Sequence, residues 1–598
     1  MLTPVSSKSS KERPFVRVPN PPGAGTPSRS FQTRHPALPP RLMTRSFASS
    51  LPSPPLLALR TIPSVVAAGM LLSAAAPIMG AQVLPQGAPR DMSRVVVRDT
   101  TIFPPIVKRE FRGVWVSPAA DGDWPSRPGL PAAQQQAELV RLLDRARHIG
   151  LNAVVFHVRL SGDALYDTPL APWSAKLTGR QGANPGYDPL AVVVREAHAR
   201  GLQVHAWFNP FRASLDGGLK PAKNHITVTH PSWVRRYGRE RWIDPGIPDA
   251  RASVLAIIMD VVQRYDIDGV HLDDFFYPYR ETRTTYRHVG RGRSRRTVAY
   301  TRELDFPDAS SWQRYGRRKG WKDRDDWRRN NIDEFVKSLY TQVHALKPWV
   351  SVGISPFGIW RPGSPPGIDG LDAYREIYAD ARKWLREGWV DYMAPQLYWS
   401  LDGAQNRFRA LDGWWRTQNP LGRHIWPGLY TAGAVARIPW AFDEIPRQIT
   451  ILRFARAGTT ESQGHIHFRL NSLTSPAGPL NGALGDRLQT DSYSVPALVP
   501  EMPWLGGTPP APPLAALAEP GDDDRPVLLL APGDNTPLSW WLIQGRVSEG
   551  QWWMLLVPSG TQKLSLSDGG SSAPDVVVVT AIDRVGQASG RTVVRVRR

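Results

Sequence analysis

From Phe111 onward, short β-rich runs alternate with helical patterns, and this alternation restricts the fold more than any other feature of the chain. The runs are RGVWVS (112–117), AVVFHVR (153–159), QVHAWF (203–208), GVHL (269–272), VSVGIS (350–355), YMAP (392–395), IWPGLY (425–430) and HIHFR (465–469). Between them, apolar residues recur at helical spacing over 134–148, 189–200, 249–265, 332–346, 378–387 and 444–457. Strands joined through helices run parallel, and eight of them close naturally into a (β/α)8 TIM barrel. The longest gap, between the fourth and fifth runs, holds a basic loop at 280–300.

A barrel over 108–475 leaves much of the 598-residue chain unused. The stretch 476–525 reads as a Pro-rich extension and stiff linker. Residues 526–598 alternate like short antiparallel strands and predict a small all-β sandwich of fibronectin III or immunoglobulin type; 576–589 resembles the last fibronectin III hairpin. At the other end, 1–60 is rich in Pro, Ser and Arg without apolar periodicity, which predicts disorder. The apolar run 62–80 follows Arg60, contains two prolines and ends among small residues, so it reads as a secretory signal within 43–81, with Met43 as a credible start. Residues 82–107 are then a linker. The expected location is periplasmic or extracellular. The chain has no cysteine, which excludes disulfides, thiol catalysis and a lipoprotein anchor.

The formal charge is +21, which points to an anionic partner. No nucleic-acid motif accompanies the arginines, so a nucleic-acid partner is not expected. The 23 tryptophans suit a large core, with a few left for stacking on sugars.

Barrel chemistry sits at the C-terminal strand ends. Carboxylates there are Asp121 and Asp123, Asp163 and Asp167, Asp273 and Asp274, Asp369 and Asp372, and Asp402. Alternation along DIDGVHLDDFFYPY (266–279) puts His271 and Asp273 on one face and Val270 and Leu272 on the other. The aliphatic pair suits the helix side, so His271 and Asp273 are expected to face the barrel mouth, with Asp274 beside them at the rim. Adjacent carboxylates raise each other's proton affinity, so one can be a protonated acid while the other stays ionised. Tyr277 and its aromatic neighbours would wall a sugar subsite or pack the loop. Across the mouth, Arg159, Asp163, Tyr166 and Trp173 would contact substrate, or Arg159 and Asp163 would pair to order their loop. Asn209 and Arg212, and Gln396, Tyr398 and Trp399, complete a rim suited to holding sugar hydroxyls.

A metal site is the rival: His465-x-His467, with His157, His205 and His271, would suit a barrel metal hydrolase. The fifth and sixth runs bring no histidine, so no metal and no cofactor are expected. There is no Gly-rich phosphate loop and no G-x-S-x-G elbow, so nucleotide and serine-hydrolase chemistry are not expected either.

FRGVWVSP, GDALYDTPLAPWS, GYDPLAVVVREAHARGLQVHAWFNPFRA, DIDGVHLDDFFYPY, DDWRRNNID, VSVGISPFGIWRPG, YADARKWLREGWVDYMAPQLYW and LDGWW, in order over about 109–473, closely resemble the glycosyl hydrolase-like family 10. The resemblance implies a glycoside hydrolase barrel and export. It also implies a substrate, since a characterised divisome-associated member cleaves peptidoglycan strands stripped of stem peptides. Each N-acetylmuramic acid of such a strand carries a free lactyl carboxylate, which Arg159, Arg212 and the 280–296 loop would select. Cell-wall or division-machinery proteins are the implied protein partners. Asp273 is the expected principal catalytic carboxylate, with Asp274 or Asp163 as partner. The alternatives are a glycan-binding scaffold without turnover and a metal-dependent deacetylase or amidase.

Overall fold

The computed structural model describes residues 102–596 except 119–121, 216–219, 292–294, 437–439, 462, 475–481, 519–525, 548–549 and 567–573. The expected disordered N-terminus, signal segment and most of the 82–107 linker lie outside the described residues.

The eight runs form eight parallel strands: β1 Lys108–Val116, β2 Ala153–Arg159, β3 Gln203–Phe208, β4 Gly269–Leu272, β5 Ser351–Ile354, β6 as Tyr392–Met393 and Gln396–Leu397, β7 as His424–Ile425 and Gly428–Leu429, and β8 Gln463–His467. Each strand pairs with its neighbour in sequence, and β8 returns to β1 (Val114↔His467), which closes the barrel. The split in β6 falls at Ala394-Pro395 and that in β7 at Trp426-Pro427, because proline has no N–H for the ladder. All seven residues of β2 are buried, as expected of a strand covered on both faces.

Helices follow the strands: α1 Ala132–Ile149, α2 Pro189–His198, α3 Pro248–Arg264, α4 Arg324–Leu346, α5 Ala381–Arg386, α6 Arg407–Thr417 and α7 Glu444–Arg456. Helix α4 starts eight residues before the expected 332. Asp323 caps it by accepting from the Asp326 N–H at 2.8 Å, and a first turn rich in arginine and aspartate hides the apolar period. Helix α6 was not predicted. The basic stretch after β4, expected as a loop, is a β-hairpin, Thr282–Val289 with Arg296–Glu303.

Aromatic rings fill the barrel axis. Phe111 stacks on Trp426 at 4.0 Å and Trp426 on Tyr392 at 4.9 Å. Gly353 makes this possible, since a Cβ there would lie 1.9 Å from the Tyr392 ring.

Two antiparallel sheets form the C-terminal all-β region. One joins Leu514–Leu517, Val527–Ala531 and Lys563–Ser565; the other joins Trp552–Pro558, Leu538–Arg546, Val576–Asp583 and Ala588–Arg595. Trp541, Ile543, Val577 and Val579 pack with Leu528 and Leu530 between them. The Pro-rich stretch read as linker therefore contributes a strand, Leu514–Leu517, because its apolar residues complete this core. The region and the extension that precedes it also pack against the N-terminal end of the barrel. Ala497–Leu498 pairs with Lys108 and Arg109, and Trp504 Nε1 donates to Asp391 at 2.8 Å. Arg584 donates to Asp266 at 2.8 Å and to Asp268 at 3.5 Å. The aspartates before β4 thus serve domain packing, while those after it lie at the opposite, open end.

Candidate active site

Strand parity is realised in β4. Val270 and Leu272 join the core shared with the helices, while His271 points into the axis. Asp273 and Asp274 follow at the strand's end, only 4% and 3% exposed. Burial is the largest influence on both and raises both pKa values, and the neighbouring Asp274 charge raises Asp273 further. Against this, Arg212 favours the ionised form of each. What separates the two is Tyr279, whose hydroxyl donates a close hydrogen bond to Asp274 Oδ2. Gln396 adds to that stabilisation. Asp273 receives only a long hydrogen bond of 3.3 Å from the Phe275 N–H and a weak influence from the Trp207 indole. The ionised form of Asp274 is therefore the better held of the two, and Asp273 has the higher proton affinity.

Arg212 is fixed from two sides. Its backbone pairs with Trp242, and its guanidinium carbon lies 3.8 Å above the Phe275 ring and 5.5 Å from Trp242. Arg212 Nε stands 3.8 Å from Glu240 Oε2 and makes no hydrogen bond, so the charge is held in place without a tight ion pair. Around the carboxylates, Gln396 Nε2 donates to the Ser355 carbonyl at 2.9 Å. Tyr398 packs 5.3 Å from Tyr430 and 5.5 Å from Phe468, and burial first, then the Asp274 charge, raise its pKa. An acid, a carboxylate, a guanidinium, an amide and an aromatic wall thus meet at one strand end, a set suited to protonating and holding a sugar.

The profile of the glycosyl hydrolase-like 10 family matches residues 110–443, more than half of the chain. The chain belongs to that family. Its class is that of the glycoside hydrolases, acting on a glycan. The glycosyl hydrolase YngK of Bacillus subtilis is 39% identical over 416 residues, which cover 68% of this chain and 76% of that protein. DigH, a glycosyl hydrolase of Escherichia coli K12, is 33% identical over 396 residues, covering 61% and 84%. Among solved structures, the glycoside hydrolase domain of PgaB from Bordetella bronchiseptica aligns over 64% of this chain and 99% of that one, at 16% identity and a TM-score of 0.39. The family match ends before α7 and β8, and the structure supplies the eighth strand that closes the barrel.

Not every predicted site residue of this glycosyl hydrolase-like 10 chain reaches the carboxylate pair. His271 does not face the mouth; it is enclosed in the axis, accepting from Trp115 Nε1 at 3.2 Å and lying 3.0 Å from Ser355 Oγ at the same nitrogen. Its other nitrogen is 2.9 Å from the Tyr392 hydroxyl, which is also 2.9 Å from His205. Burial keeps the ring neutral, so His271 supports the site from beneath. Tyr277 is buried edge-on between Phe306 and Tyr378 and contributes packing, not a sugar contact. Tyr166 likewise turns into the helical layer against Tyr265, because loop residues carry no periodicity from which to read direction.

Asp163 lines a separate cavity of about 360 Å³ with Ser161, Ser174, Gln181, His225 and Arg241. Its raised pKa comes from burial, opposed chiefly by Ser174 and then Arg159. Arg159 is buried near it with Nε and Nη1 unpartnered, and no Arg159–Asp163 ion pair occurs among the described residues, so the pairing expected to order the loop is not made. Asn209 ties down that loop, donating to the Leu160 carbonyl at 3.2 Å. Trp173 is half-buried and bridged to Ala164, and Trp399 is half-buried, 6.0 Å from Phe357 with Arg407 5.6 Å from its ring. Of the remaining carboxylates, Asp123 accepts the N–H groups of Ser117 and Asn471 at 2.8 and 2.7 Å, and Asp121 lies outside the described residues. His465 and His467 converge on the Tyr493 hydroxyl, and no group of three potential metal ligands occurs among the described residues.

Sequence reasoning grouped Tyr279 with the aromatics of a subsite wall or loop packing and missed its hydrogen bond to Asp274. Four residues separate Tyr279 from Asp274, and no periodicity predicts that the loop folds back. Replacing Tyr279 by Phe is expected to raise the pKa of Asp274, since the lost donor favoured the ionised form. The acid limb of kcat/KM would then move to higher pH, and an unmoved limb in the pH–rate profile would contradict the assignment.

Proposed function

We propose that this chain is an exported glycoside hydrolase that cleaves peptidoglycan glycan strands lacking stem peptides. The observation that carries the chemistry is the buried Asp273-Asp274 pair, in which Tyr279 gives the two carboxyls unequal proton affinity. Asp273 protonates the departing glycosidic oxygen. Asp274 stays ionised and orients the nucleophile at the anomeric carbon. Adjacent residues at one strand end approach the scissile bond from the same side, which favours the substrate's own acetamido oxygen as that nucleophile. Both sugars of murein carry an acetamido group, so the substrate supplies what this route needs.

Support for murein comes from charge. The fixed Arg212 beside the pair and the formal charge of +21 suit a polymer with a lactyl carboxylate on every second sugar. The apolar run at 62–80 supports export to the compartment where that polymer lies.

Digestion of intact and peptide-free murein, with products resolved by chromatography and mass, tests the reading. New reducing ends from the peptide-free strands alone are expected. Anhydro ends would replace hydrolysis by intramolecular attack of a sugar hydroxyl on its own anomeric carbon, and released acetate would indicate a deacetylase. Binding without any product would leave a scaffold.

A further inference from the structure

The hairpin after β4 has a polarity that composition does not reveal. Its strands, Thr282–Val289 and Arg296–Glu303, are exposed almost throughout, with Tyr286 72% exposed, so the hairpin stands in solvent. Directly paired residues share a face. The register therefore places Arg283 with Arg302, Thr285 with Tyr300, Arg287 with Val298 and Val289 with Arg296 on one side. The other side holds Thr282, Thr284, Thr301, Tyr286, His288 and Thr297, with Glu303 at its root. Every arginine of the two strands lies on the first face.

Nothing in the fold rewards this arrangement. None of the four arginines has a carboxylate partner among the described residues, and Arg287 lies 5.6 Å from the Tyr300 ring. Like charges directly opposite, as at Arg283 and Arg302, destabilise a pairing, and an isolated two-stranded hairpin is already marginal in water. The root, by contrast, is clamped. Arg280 Nη1 donates to Glu303 at 2.7 Å, and the Glu281 N–H donates to the Tyr237 hydroxyl at 2.9 Å. The clamp follows Tyr279, which holds Asp274, so the arm grows directly from the carboxylate pair.

We propose that the cationic face of this arm is an exosite for an extended acidic glycan, holding carboxylate-bearing sugars beyond those at Asp273 and Asp274. This rests on the reading of the substrate as an acidic glycan strand. Four guanidiniums supply charge-assisted hydrogen bonds to carboxylates, and Tyr300 among them supplies a surface for a sugar ring. Eight residues of strand span roughly 27 Å, enough for several sugar units.

The test is the full chain carrying R283Q/R287Q/R296Q/R302Q, whose exposed positions leave the barrel untouched. On long peptide-free strands its KM is expected to rise about tenfold with kcat unchanged, the sum of several exposed ion pairs. Hydrolysis of the shortest cleavable oligosaccharide should equal wild type, and added salt should raise the KM of wild type more than that of the variant. Equal losses on short and long substrates, or no loss on long ones, would overturn the exosite. Retention on an immobilised polyuronate reports on the arm without cleavage. If wild type is retained and the variant is not, the exosite stands even where murein is not hydrolysed; equal retention overturns it. A variant that differs only on anionic phospholipid vesicles would make the arm a membrane contact and likewise overturn the proposal.

Discussion

Asp273→Asn is expected to lower kcat by about 10²- to 10⁴-fold, the range typical of losing a general acid, while glycan binding and fold persist. The electrostatics make this substitution mild structurally. Burial and the Asp274 charge keep Asp273 protonated, so a neutral amide of similar shape replaces a neutral carboxylic acid. Asp274→Asn differs, because it removes the ionised group that balances Arg212, and weaker substrate positioning should accompany its loss of turnover. The wild-type pH profile follows from the same assignment. The acid must be protonated to act, so activity should fall as pH rises through the elevated pKa of Asp273. Unaltered kcat in Asp273→Asn would remove Asp273 from the mechanism. A circular dichroism spectrum equal to wild type would show that any loss is chemical.

The second large effect concerns stability. Glu110 on β1 is fully buried and accepts from Arg112 Nε at 2.8 Å and from Arg453 Nε and Nη2 at 2.6 and 2.7 Å. Arg112, itself buried, lies 4.5 Å from the Tyr493 ring centroid. Glu110→Gln leaves a buried cation without its counter-charge, which should destabilise the barrel by about 3–5 kcal/mol, read from the urea midpoint. The sign of the pH dependence follows. Its hydrogen bond from Arg453 and the nearby charges of Arg112 and Arg453 hold the Glu110 carboxyl far below the ordinary range, against a burial penalty that is the largest single influence. Its stabilising contribution is therefore complete above the unfolded pKa of about 4.3 and is lost as pH falls below it. Glu110→Gln should flatten the acid limb of the stability curve. An unchanged midpoint would mean that the two arginines find other partners.

Much of this was legible in the chain itself. The parity of GVHLDD correctly sent Val270 and Leu272 to the helices, and Asp273 to the barrel's open end, because side-chain alternation is a local property of a strand. Gln396, Tyr398 and Arg212 were found by position, since they follow the ends of strands that could be recognised. Loop residues were less accessible. Tyr166 and Tyr277 lie in loops where orientation depends on what packs behind them, and both proved to be packing. His271 shows the limit of parity, which gives the side of the strand but not the depth at which aromatic neighbours seal the axis.

The pattern of apolar runs, the two prolines that split β6 and β7, and the carboxylates after β4 are properties of sequence, and they determined the barrel and the place of its chemistry. Tertiary structure decided the rest. It brought Tyr279 back onto Asp274 and so gave Asp273 the higher proton affinity; it joined Glu110 of β1 to Arg453 of α7; and it set the hairpin register that gathers four arginines on one face. The physical reason is common to all three. A proton affinity, a buried ion pair and a cross-strand face depend on groups distant in sequence or on a register, and only folding fixes which of them meet.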